Sequence, residues 1–406
     1  MTQTRGPRTT TPVLERAVLD AFRHRHDPLR RVDLMARTGL SRPVVTALLD
    51  NLVAQGLVAP VPDAAPSGRG RPSPAFRLTR AATCAALVRL HRGPTALTLV
   101  TAEGPTPRRT LDLPWAGRWD EWADAVAALL ARAEDDHGLR ARYAVVATPF
   151  PVNTAGDGPA FPEPPSTPGA HGPESPFART LRAWRRENPR EHLVRVLGRP
   201  VRLVNDANLA ALGEARYGAA AGSASSLHLS VREGLGAGIV INGRLHQGAL
   251  GTAGELAHVP VVENGPYCRC GRRGCLATQT PGPGLEAAFT RLYERPLASA
   301  DADGILRAPD SAAARLLTDL GRLVARPLAG VVTMLNPEVL VIDPALHAGH
   351  RPFVDGLSTH LAPAAARAPR IVPGDLPDAH AYGALALGDR EPAAPYPATA
   401  GGSAGG

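Results

Sequence analysis

The sequence predicts an α/β protein in which a small, basic, helical head precedes a larger body of alternating strands and helices. Three observations support this prediction. The 406 residues suffice for two to three domains, and 44% of them are hydrophobic, enough to form buried cores. Apolar residues recur at helical spacing near the N-terminus, whereas short apolar strands alternate with helices further along the chain. Residues 1–80 hold 13 Arg against six Asp plus Glu, so they carry +7 of the net charge of +8.

The composition excludes several classes of protein. Aromatic residues make up only 4% of the chain, too few for a stacking platform that binds single-stranded nucleic acid. No apolar run approaches the roughly 20 residues of a membrane span, and residues 1–12 lack the hydrophobic segment of a secretion signal. We therefore expect a cytoplasmic protein without membrane contact. Three of the four cysteines lie within eight positions, which indicates a metal-binding cluster rather than a disulfide framework.

Two short helices joined by a glycine turn characterise the head. Apolar spacing predicts a first helix ending near Phe22, a second around residues 33–37 and a third over residues 42–55. Gly39 suits the end of the second helix, and Ser41 suits the N-cap of the third. This pattern predicts a helix-turn-helix, in which the first residues of the later helix reach the base edges of DNA. The residues expected at the bases are Ser41, Arg42, Pro43 and Thr46.

Two extended segments after the third helix predict a wing. They lie at residues 56–58 and Ala75–Leu78, and the Gly- and Pro-rich stretch between them carries Arg69 and Arg71. Arginines on a flexible hairpin tip suit phosphates or a narrow minor groove. An unstructured linker with incidental arginines is the alternative, and charge alone fits a solvated basic surface equally well. We predict a winged helix-turn-helix over residues 1–80 that binds double-stranded DNA.

The body shows the alternation of an α/β fold. Strands are expected over residues 85–90, 96–100, 143–148, 201–204, 226–231, 237–241 and 339–343, of which 339–343 is the last buried strand. Helices are expected over residues 122–133, 179–186, 190–197, 209–217 and 311–335. Asn242-Gly243 is typical of a hairpin turn. Residues 149–176 contain 13 Pro or Gly in 28 positions and predict a loop or insertion. The tail, residues 391–406, is expected to be disordered.

Five motifs occur in order along the body. They are Asn205-Asp206-Ala207-Asn208, Gly236-Ala237-Gly238, Gly254-Glu255-Leu256-Ala257-His258, the Cys268–Cys275 segment and Leu335-Asn336-Pro337-Glu338. This series resembles the ROK family of sugar kinases and sugar-responsive repressors over roughly residues 81–388, and the predicted head makes the chain similar to the repressor branch. The resemblance implies a two-lobed, actin-like (RNase H-like) body with a sugar cleft between a small lobe, 81–205, and a large lobe, 206–390. The final helix would return to the small lobe.

The cysteine cluster has the spacing of a tetrahedral metal site. Cys268, Cys270 and Cys275 lie on a tight loop with two glycines that let the backbone fold round a centre. Three thiolates need a fourth ligand for tetrahedral zinc, and His258, ten residues before the first cysteine, is the candidate. The family's zinc ligands match all four positions. We expect a structural Zn²⁺; the alternative is three reduced thiols without metal.

The resemblance also implies roles for residues in the cleft. Asp206 occupies the position of the family's general base, which takes a proton from a sugar hydroxyl. Asn205, Glu255 and His258 match sugar-contacting positions, so His258 would contact sugar with one ring nitrogen and the metal with the other. From the residues alone, the simpler interpretation of Asp206 is the N-cap of a helix that begins near Asn208.

The phosphate-binding motifs of the family are altered in this chain. Residues 89–95 replace the first loop, Asp-x-Gly-Gly-Thr, and lack both the Asp and the Gly pair. Glu233 introduces a negative charge into the second loop, where backbone amides must approach phosphate closely. Asp343-Pro344 replaces a Gly pair after the last expected strand. We therefore expect no kinase activity, with Asp206 as a vestigial base.

The sugar site also departs from the family pattern. Ala277 stands where a sugar-contacting Glu is usual, and the bulky Phe150 stands where Gly is usual. The sequence predicts a zinc-containing repressor, a homodimer or homotetramer, whose effector is a sugar or a sugar derivative. Two alternatives remain open: an active sugar kinase that carries a DNA-binding head, and a ligand-independent DNA-binding protein whose body serves only for dimerisation.

Overall fold

The computed structural model describes residues 11–22, 28–61, 74–79, 84–90, 94–116, 118–160, 176–231, 234–268, 270–279, 285–361 and 368–388. In these ranges the chain forms one small sheet in the head and two larger sheets in the body. None of the helices in the same ranges combines the length and apolar character that crossing a membrane requires.

The head contains the predicted helix-turn-helix. Its helices are α1 (Thr11–Phe22), α2 (Arg31–Thr38) and α3 (Arg42–Ala54), and its strands are β1 (Leu29–Arg30), β2 (Val58–Val61) and β3 (Ala75–Leu78). Gly39 ends α2 with a φ of 69°, and its N–H donates to the Met35 carbonyl at 2.9 Å. The inner face of α3 is buried, including Leu49 and Leu52, and packs against α1 and α2.

The start of α3 differs from the prediction in one detail. Ser41 has the extended backbone of an N-cap, and its carbonyl accepts the first helical hydrogen bond from Val45 N at 3.0 Å. Its side chain, however, makes no capping hydrogen bond, so the expected side-chain cap is wrong. Pro43 supplies a reason, because it removes one of the two N–H groups that an N-cap side chain normally satisfies.

The strands of the head form the stem of a wing. β2 and β3 pair antiparallel from Val58 opposite Leu78 to Val61 opposite Ala75, and β1 pairs with the other edge of β3. The short strand β1 was not predicted. The tip expected to carry Arg69 and Arg71 lies outside the described residues, as does the tail, residues 391–406.

The first body sheet has the order β6-β5-β4-β8-β9, with β7 also paired to β5. Its strands are β4 (Ala85–Arg89), β5 (Thr95–Thr101), β6 (Gly104–Pro105), β7 (Arg109–Leu111), β8 (Tyr143–Thr148) and β9 (Val201–Asn205). Strands β4, β8 and β9 run parallel. One face packs against the helices α4 (Trp119–His137), α5 (Pro176–Arg186) and α6 (Pro189–Leu197).

The second body sheet has the order β12-β11-β10-β13-β14. Its strands are β10 (Ser225–Ser230), β11 (Gly236–Ile241), β12 (Arg244–Leu245), β13 (Val339–Ile342) and β14 (Arg370–Pro373). The helices on or near its outer face are α8 (Leu276–Gln279), α9 (Leu285–Leu292), α10 (Ser299–Arg307), α11 (Ser311–Leu335) and α12 (His350–Leu361). The strand β13 is fully buried, as predicted, whereas β14 was not predicted: it lies at the edge of the sheet, where partial exposure weakens the apolar signal.

Two helices that pack against each other lie between the sheets: α7 (Asp206–Tyr217) contacts mainly the second sheet and α13 (Ala379–Gly388) the first. They cross at glycines: a Cβ at Gly213 would lie 2.1 Å from the Ala379 carbonyl oxygen, and one at Gly383 would lie 1.9 Å from that of Leu209. The Tyr143 hydroxyl of β8 donates to the Ala384 carbonyl at 2.9 Å. The last helix therefore packs on the first sheet. The lobe boundaries at residues 205 and 390 stay predictions.

Candidate metal centre, ligand cleft and DNA-binding helix

Four ligand atoms converge beside the second sheet. The donor atoms of His258, Cys268, Cys270 and Cys275 all lie within 4.8 Å of one another. His258 Nδ1 lies 3.4 Å from Cys268 Sγ, and Cys270 Sγ lies 3.6 Å from Cys275 Sγ. Two sulfurs bound at about 2.3 Å to one tetrahedral ion are roughly 3.8 Å apart. The spacing and the donor types therefore fit a closed, four-coordinate metal centre.

The backbone holds the cysteine loop in place. Cys268 N donates to Arg272 O at 2.7 Å, and Gly274 N donates to Pro266 O at 2.8 Å. Gly274 has a φ of 63°, and a Cβ there would lie 1.7 Å from Val262 O, so only glycine fits. Burial, with the neighbouring thiols, raises the pKa of Cys275 to about 12. A bound cation would offset that cost by stabilising the thiolates.

His258 presents its two ring nitrogens to different partners. It ends a short 3₁₀ helix, Leu256–His258, and is buried. Nδ1 faces the cysteine sulfurs, whereas Nε2 lies 4.0 Å from Glu255 Oε2. The ring thus turns one nitrogen to the cysteines and the other towards Glu255, and contact of Nε2 with a sugar stays a prediction.

A cavity of about 490 Å³ opens beside the loop of residues 268–275, which we call the metal loop. Glu255 and His258 line it, together with Cys270 and Arg272 of the metal loop and Ala160 of the loop that follows β8. Its volume is in the range of small-molecule sites. Asn205 and Asp206 are not among the described residues that line this cavity.

Asn205 and Asp206 lie at the start of α7. The Asn205 side-chain oxygen accepts from Asn208 N at 3.1 Å, so Asn205 is the N-cap, and the interpretation of Asp206 as the cap is wrong. Asp206 is the first residue of α7 and accepts from Ala207 N at 2.7 Å. A Cβ at Gly236 would meet the Ala207 Cβ at 3.0 Å.

The turn that carries Glu255 lies at the same end of β11. Ala237 N donates to Gly254 O at 3.2 Å, which places Gly254 beside the first residues of β11. The turn at Asp206 packs against β11 at Gly236. The fold thus brings both predicted pairs of cleft residues to one strand end, although they do not share the described cavity.

Phe150 does not narrow the cleft. It is 4% exposed, and its ring packs against Trp115 at 6.0 Å and Trp184 at 5.6 Å, between centroids. The side chain, which stands where the family pattern has Gly, turns into the core of the first sheet and is not among the residues that line the cavity.

A charged cluster, which the sequence did not indicate, lies near the strand ends where the family's phosphate motifs would fall; His228 is its buried member and the others are half-buried. It contains Arg89 at the end of β4, His228 in β10, Asp343 after β13, and Asp378 and His380 at the start of α13. His380 Nδ1 lies 3.6 Å from Asp378 Oδ1. Glu233 and residues 91–93 of the altered loops lie outside the described residues.

Burial and neighbouring opposite charges shift the pKa values in this cluster in opposite directions. Burial lowers the pKa of His228 to about 4, although the Asp343 carboxylate opposes the shift, and neither ring nitrogen has a hydrogen-bond partner among the residues that the structure describes. Burial alone would raise the pKa of Asp378, but His380 and Arg89 outweigh it and hold that pKa well below its usual range. The Asp343 carboxylate accepts from Ala345 N at 3.0 Å.

The first turn of α3 presents the predicted DNA-contacting residues to solvent. Ser41, Arg42 and Pro43 are exposed and Thr46 is partly exposed, on the side opposite the buried core face. Arg77 of β3 is also exposed. The role of these residues at DNA stays a prediction.

The fold and these sites define a helix-turn-helix joined to a sugar-kinase-like body. Residues 179–389 match the ROK family, and the chain belongs to that family. Residues 15–62 match the IclR helix-turn-helix domain.

Relatives of both kinds are similar to the chain. A glucokinase from Thermotoga maritima is 31% identical over 181 residues, which are 41% of this chain and 57% of the glucokinase. A xylose repressor from Bacillus subtilis is 26% identical over 163 residues, 40% of this chain and 42% of the repressor. The chain thus spans about half the length of the curated relatives it matches.

Solved structures confirm the fold. A ROK family transcriptional regulator, described as a homolog of the E. coli MLC protein, superposes with a TM-score of 0.67 at 19% identity, covering 93% of this chain and 99% of the regulator. The ROK hexokinase from Thermus thermophilus superposes with a TM-score of 0.56 at 29% identity, covering 75% of this chain and 97% of the hexokinase.

Proposed function

We propose that the chain is a transcriptional regulator, a repressor, that binds operator DNA through its head and a sugar-like effector through its body, and that it has no kinase activity. The observation that carries this proposal is the union of a helix-turn-helix with a ROK body in one chain. Similarity to xylose repressors supports it.

DNA recognition is assigned to the first turn of α3. Arg42 and Thr46 would contact base edges, and the wing would contact phosphates. The basic head favours binding to a polyanion such as DNA, because each phosphate that an arginine neutralises releases its counterions. A homodimer or homotetramer would read two half-sites separated by about one helical turn of DNA, or a multiple of it.

The effector is assigned to the cavity that Glu255 and His258 line. Zn²⁺, held by His258, Cys268, Cys270 and Cys275, would supply the charge that keeps the loop folded. That loop contributes Cys270 and Arg272 to the cavity wall. Because Ala160 follows β8 of the first sheet, a ligand here would touch residues associated with both sheets, and it could shift their arrangement only by binding two states with different affinity.

Sugar phosphorylation is the second candidate function. The glucokinase relatives favour it, as does Asp206 at the position of the family's base. The lack of the Asp and of the Gly pair in residues 89–95, and Asp343-Pro344 in place of a second Gly pair, oppose it, because backbone amides approach phosphate closely only where side chains leave room. Incubation with Mg-ATP and a panel of hexoses and N-acetylhexosamines tests it. We expect no sugar phosphate, and measurable product would contradict the proposal.

Selection of bound fragments from sheared genomic DNA tests the regulatory function. The full chain, loaded with zinc, is expected to enrich fragments that contain two related half-sites. Arg42→Ala serves as the matched comparison and should reduce this enrichment while keeping its fold. Failure of the unaltered chain to enrich any sequence would contradict DNA recognition.

A further inference from the structure

We propose that the cavity beside the metal loop takes a glycoside with an apolar aglycone, a sugar that carries an aryl or alkyl group, in preference to the free sugar. This inference rests on the proposed function and goes beyond it by naming the chemical class of the effector.

Most of the residues that line the cavity come from two parts of the chain, which we call the polar wall, residues 252–272, and the apolar wall, formed by β10, β11 and α11. The polar lining residues all come from residues 252–272, a stretch that also contributes Leu256 and Val259: they are Thr252, Glu255, His258, Cys270 and Arg272. The strands β10 and β11 and the helix α11 contribute apolar side chains only: Leu227, Ala237, Ile239, Leu328 and Val331. A ligand that fills the cavity therefore meets a few polar groups from residues 252–272 and an otherwise apolar lining.

The polar wall suits a sugar ring. The Glu255 carboxylate is partly exposed and can accept hydrogen bonds from hydroxyl groups. The Arg272 guanidinium lies at the same wall, where Nη1 donates to the His258 carbonyl at 3.4 Å. These groups provide an acceptor and donors for a polyol, as sugar recognition requires.

The apolar wall does not suit a free sugar. A pyranose carries hydroxyl groups round its rim, and the cavity of about 490 Å³ exceeds the space that one ring occupies. A hydroxyl turned towards the partly exposed Val331 would lose water without gaining a hydrogen bond, which opposes binding. An apolar aglycone at the same wall would gain from the removal of its surface from water.

The mouth of the cavity is also apolar. Leu250 lines it and is 69% exposed, which places this side chain at the opening to solvent. A large exposed apolar residue at a cavity mouth is consistent with the entry of an apolar group.

Matched ligands test the proposal directly. Phenyl glycosides, methyl glycosides and free sugars of glucose, xylose, galactose and N-acetylglucosamine would be titrated into the zinc-loaded full chain by calorimetry, with phenol as the aglycone alone. We expect one phenyl glycoside to bind about tenfold more tightly than its methyl counterpart and than phenol. Equal affinity for phenyl and methyl glycosides, tighter binding of phenol, or no binding by any member would overturn the proposal.

A pair of variants on α11 locates the aglycone. Val331→Thr keeps the shape of the side chain and adds a hydroxyl to the apolar wall, so it should weaken the phenyl glycoside several-fold and leave the methyl glycoside unchanged. Met334→Thr is the control, since Met334 is 87% exposed and is not among the lining residues. Equal effects of both variants would overturn the assignment.

Failure of this inference is distinguishable from failure of the proposed function. Enrichment of operator fragments without preference for phenyl glycosides would overturn the ligand class alone. Binding of a phenyl glycoside without DNA recognition would overturn the regulatory function and leave the ligand class standing.

Discussion

The metal loop and the charged cluster at the strand ends lie in the same body but differ in how their polar atoms are satisfied. In the metal loop, four donors point at one centre at spacings that a single ion explains. In the cluster, Arg89, Asp378 and His380 interact with one another, and His228 keeps two buried ring nitrogens without partners in the described chain.

In the described residues, the two regions thus differ in whether one centre accounts for the positions of their polar atoms. The sheets and the connecting helices that position both regions match ROK proteins of either activity. Function on a shared scaffold is decided by particular side chains, here those of the cysteine loop and of the cluster formed by β4, β10, the end of β13 and the start of α13. The following predictions test each side of this comparison.

Cys275→Ser should have the largest effect. Losing one thiolate should release the metal and lower the free energy of unfolding by about 4 kcal/mol, the stabilisation that a ligand supplies at a thousandfold excess over its Kd. Metal content by mass spectrometry and denaturant unfolding measure both effects. Cys84→Ser, at a buried cysteine outside the cluster, should keep its metal. Unchanged zinc in Cys275→Ser would refute the site.

Gly383→Ala tests the helix pair that connects the two regions. The added Cβ would lie 1.9 Å from the Leu209 carbonyl oxygen, so we expect a loss of about 3 kcal/mol from the forced displacement of α7 against α13. Gly330→Ala in α11 is the matched control: a Cβ there meets nothing within 4 Å, and the substitution should stabilise by about 0.5–1 kcal/mol. Equal losses of unfolding free energy in Gly383→Ala and Gly330→Ala, measured by denaturant unfolding, would contradict this packing.

His228→Leu tests the charged cluster through pH. Because burial lowers the pKa of His228 from 6.5 to about 4, the unfolded chain binds more protons between these values, and stability falls as pH falls. Between pH 7 and pH 5 this one residue should remove about 2 kcal/mol. The variant should lose that part of the pH dependence of unfolding. Identical pH profiles would mean that His228 is not buried in the neutral form.

Arg42→Ala should have the smallest effect on free energy. Loss of one base contact should weaken binding to an enriched operator about tenfold, or about 1.4 kcal/mol. Fluorescence anisotropy measures the change. Arg118→Ala, at an exposed arginine of the body that pairs with Glu121, is the control and should bind as the unaltered chain does. Equal losses in both variants would show a nonspecific charge effect.

The sequence predicted elements with strong local signals. The helix α11 was expected at its observed bounds, because its apolar period is long, Asp310 caps its start through Ala312 and Ala313, and Asn336 ends it with a φ of 44°. The strand β8 is a continuous apolar run, and its bounds also agree with the prediction. His258 and the three clustered cysteines combine a local cysteine motif with one nearby histidine, so their proximity was predictable too.

Features that depend on distant segments were not predictable. The charged cluster joins residues of β4, β10, the end of β13 and the start of α13, which share no periodic pattern. The burial of Phe150 depends on Trp184, a residue of α5 far along the chain. The edge strand β14 is half exposed and carries too little apolar contrast to be recognised.

Calorimetric titration of the zinc-loaded chain with Mg-ATP tests the central contrast most directly. If the strand ends no longer hold nucleotide while the metal loop is intact, no saturable heat should appear up to millimolar Mg-ATP, in a sample whose metal content stays at one zinc per chain. A saturating isotherm with micromolar affinity in that sample would contradict the account.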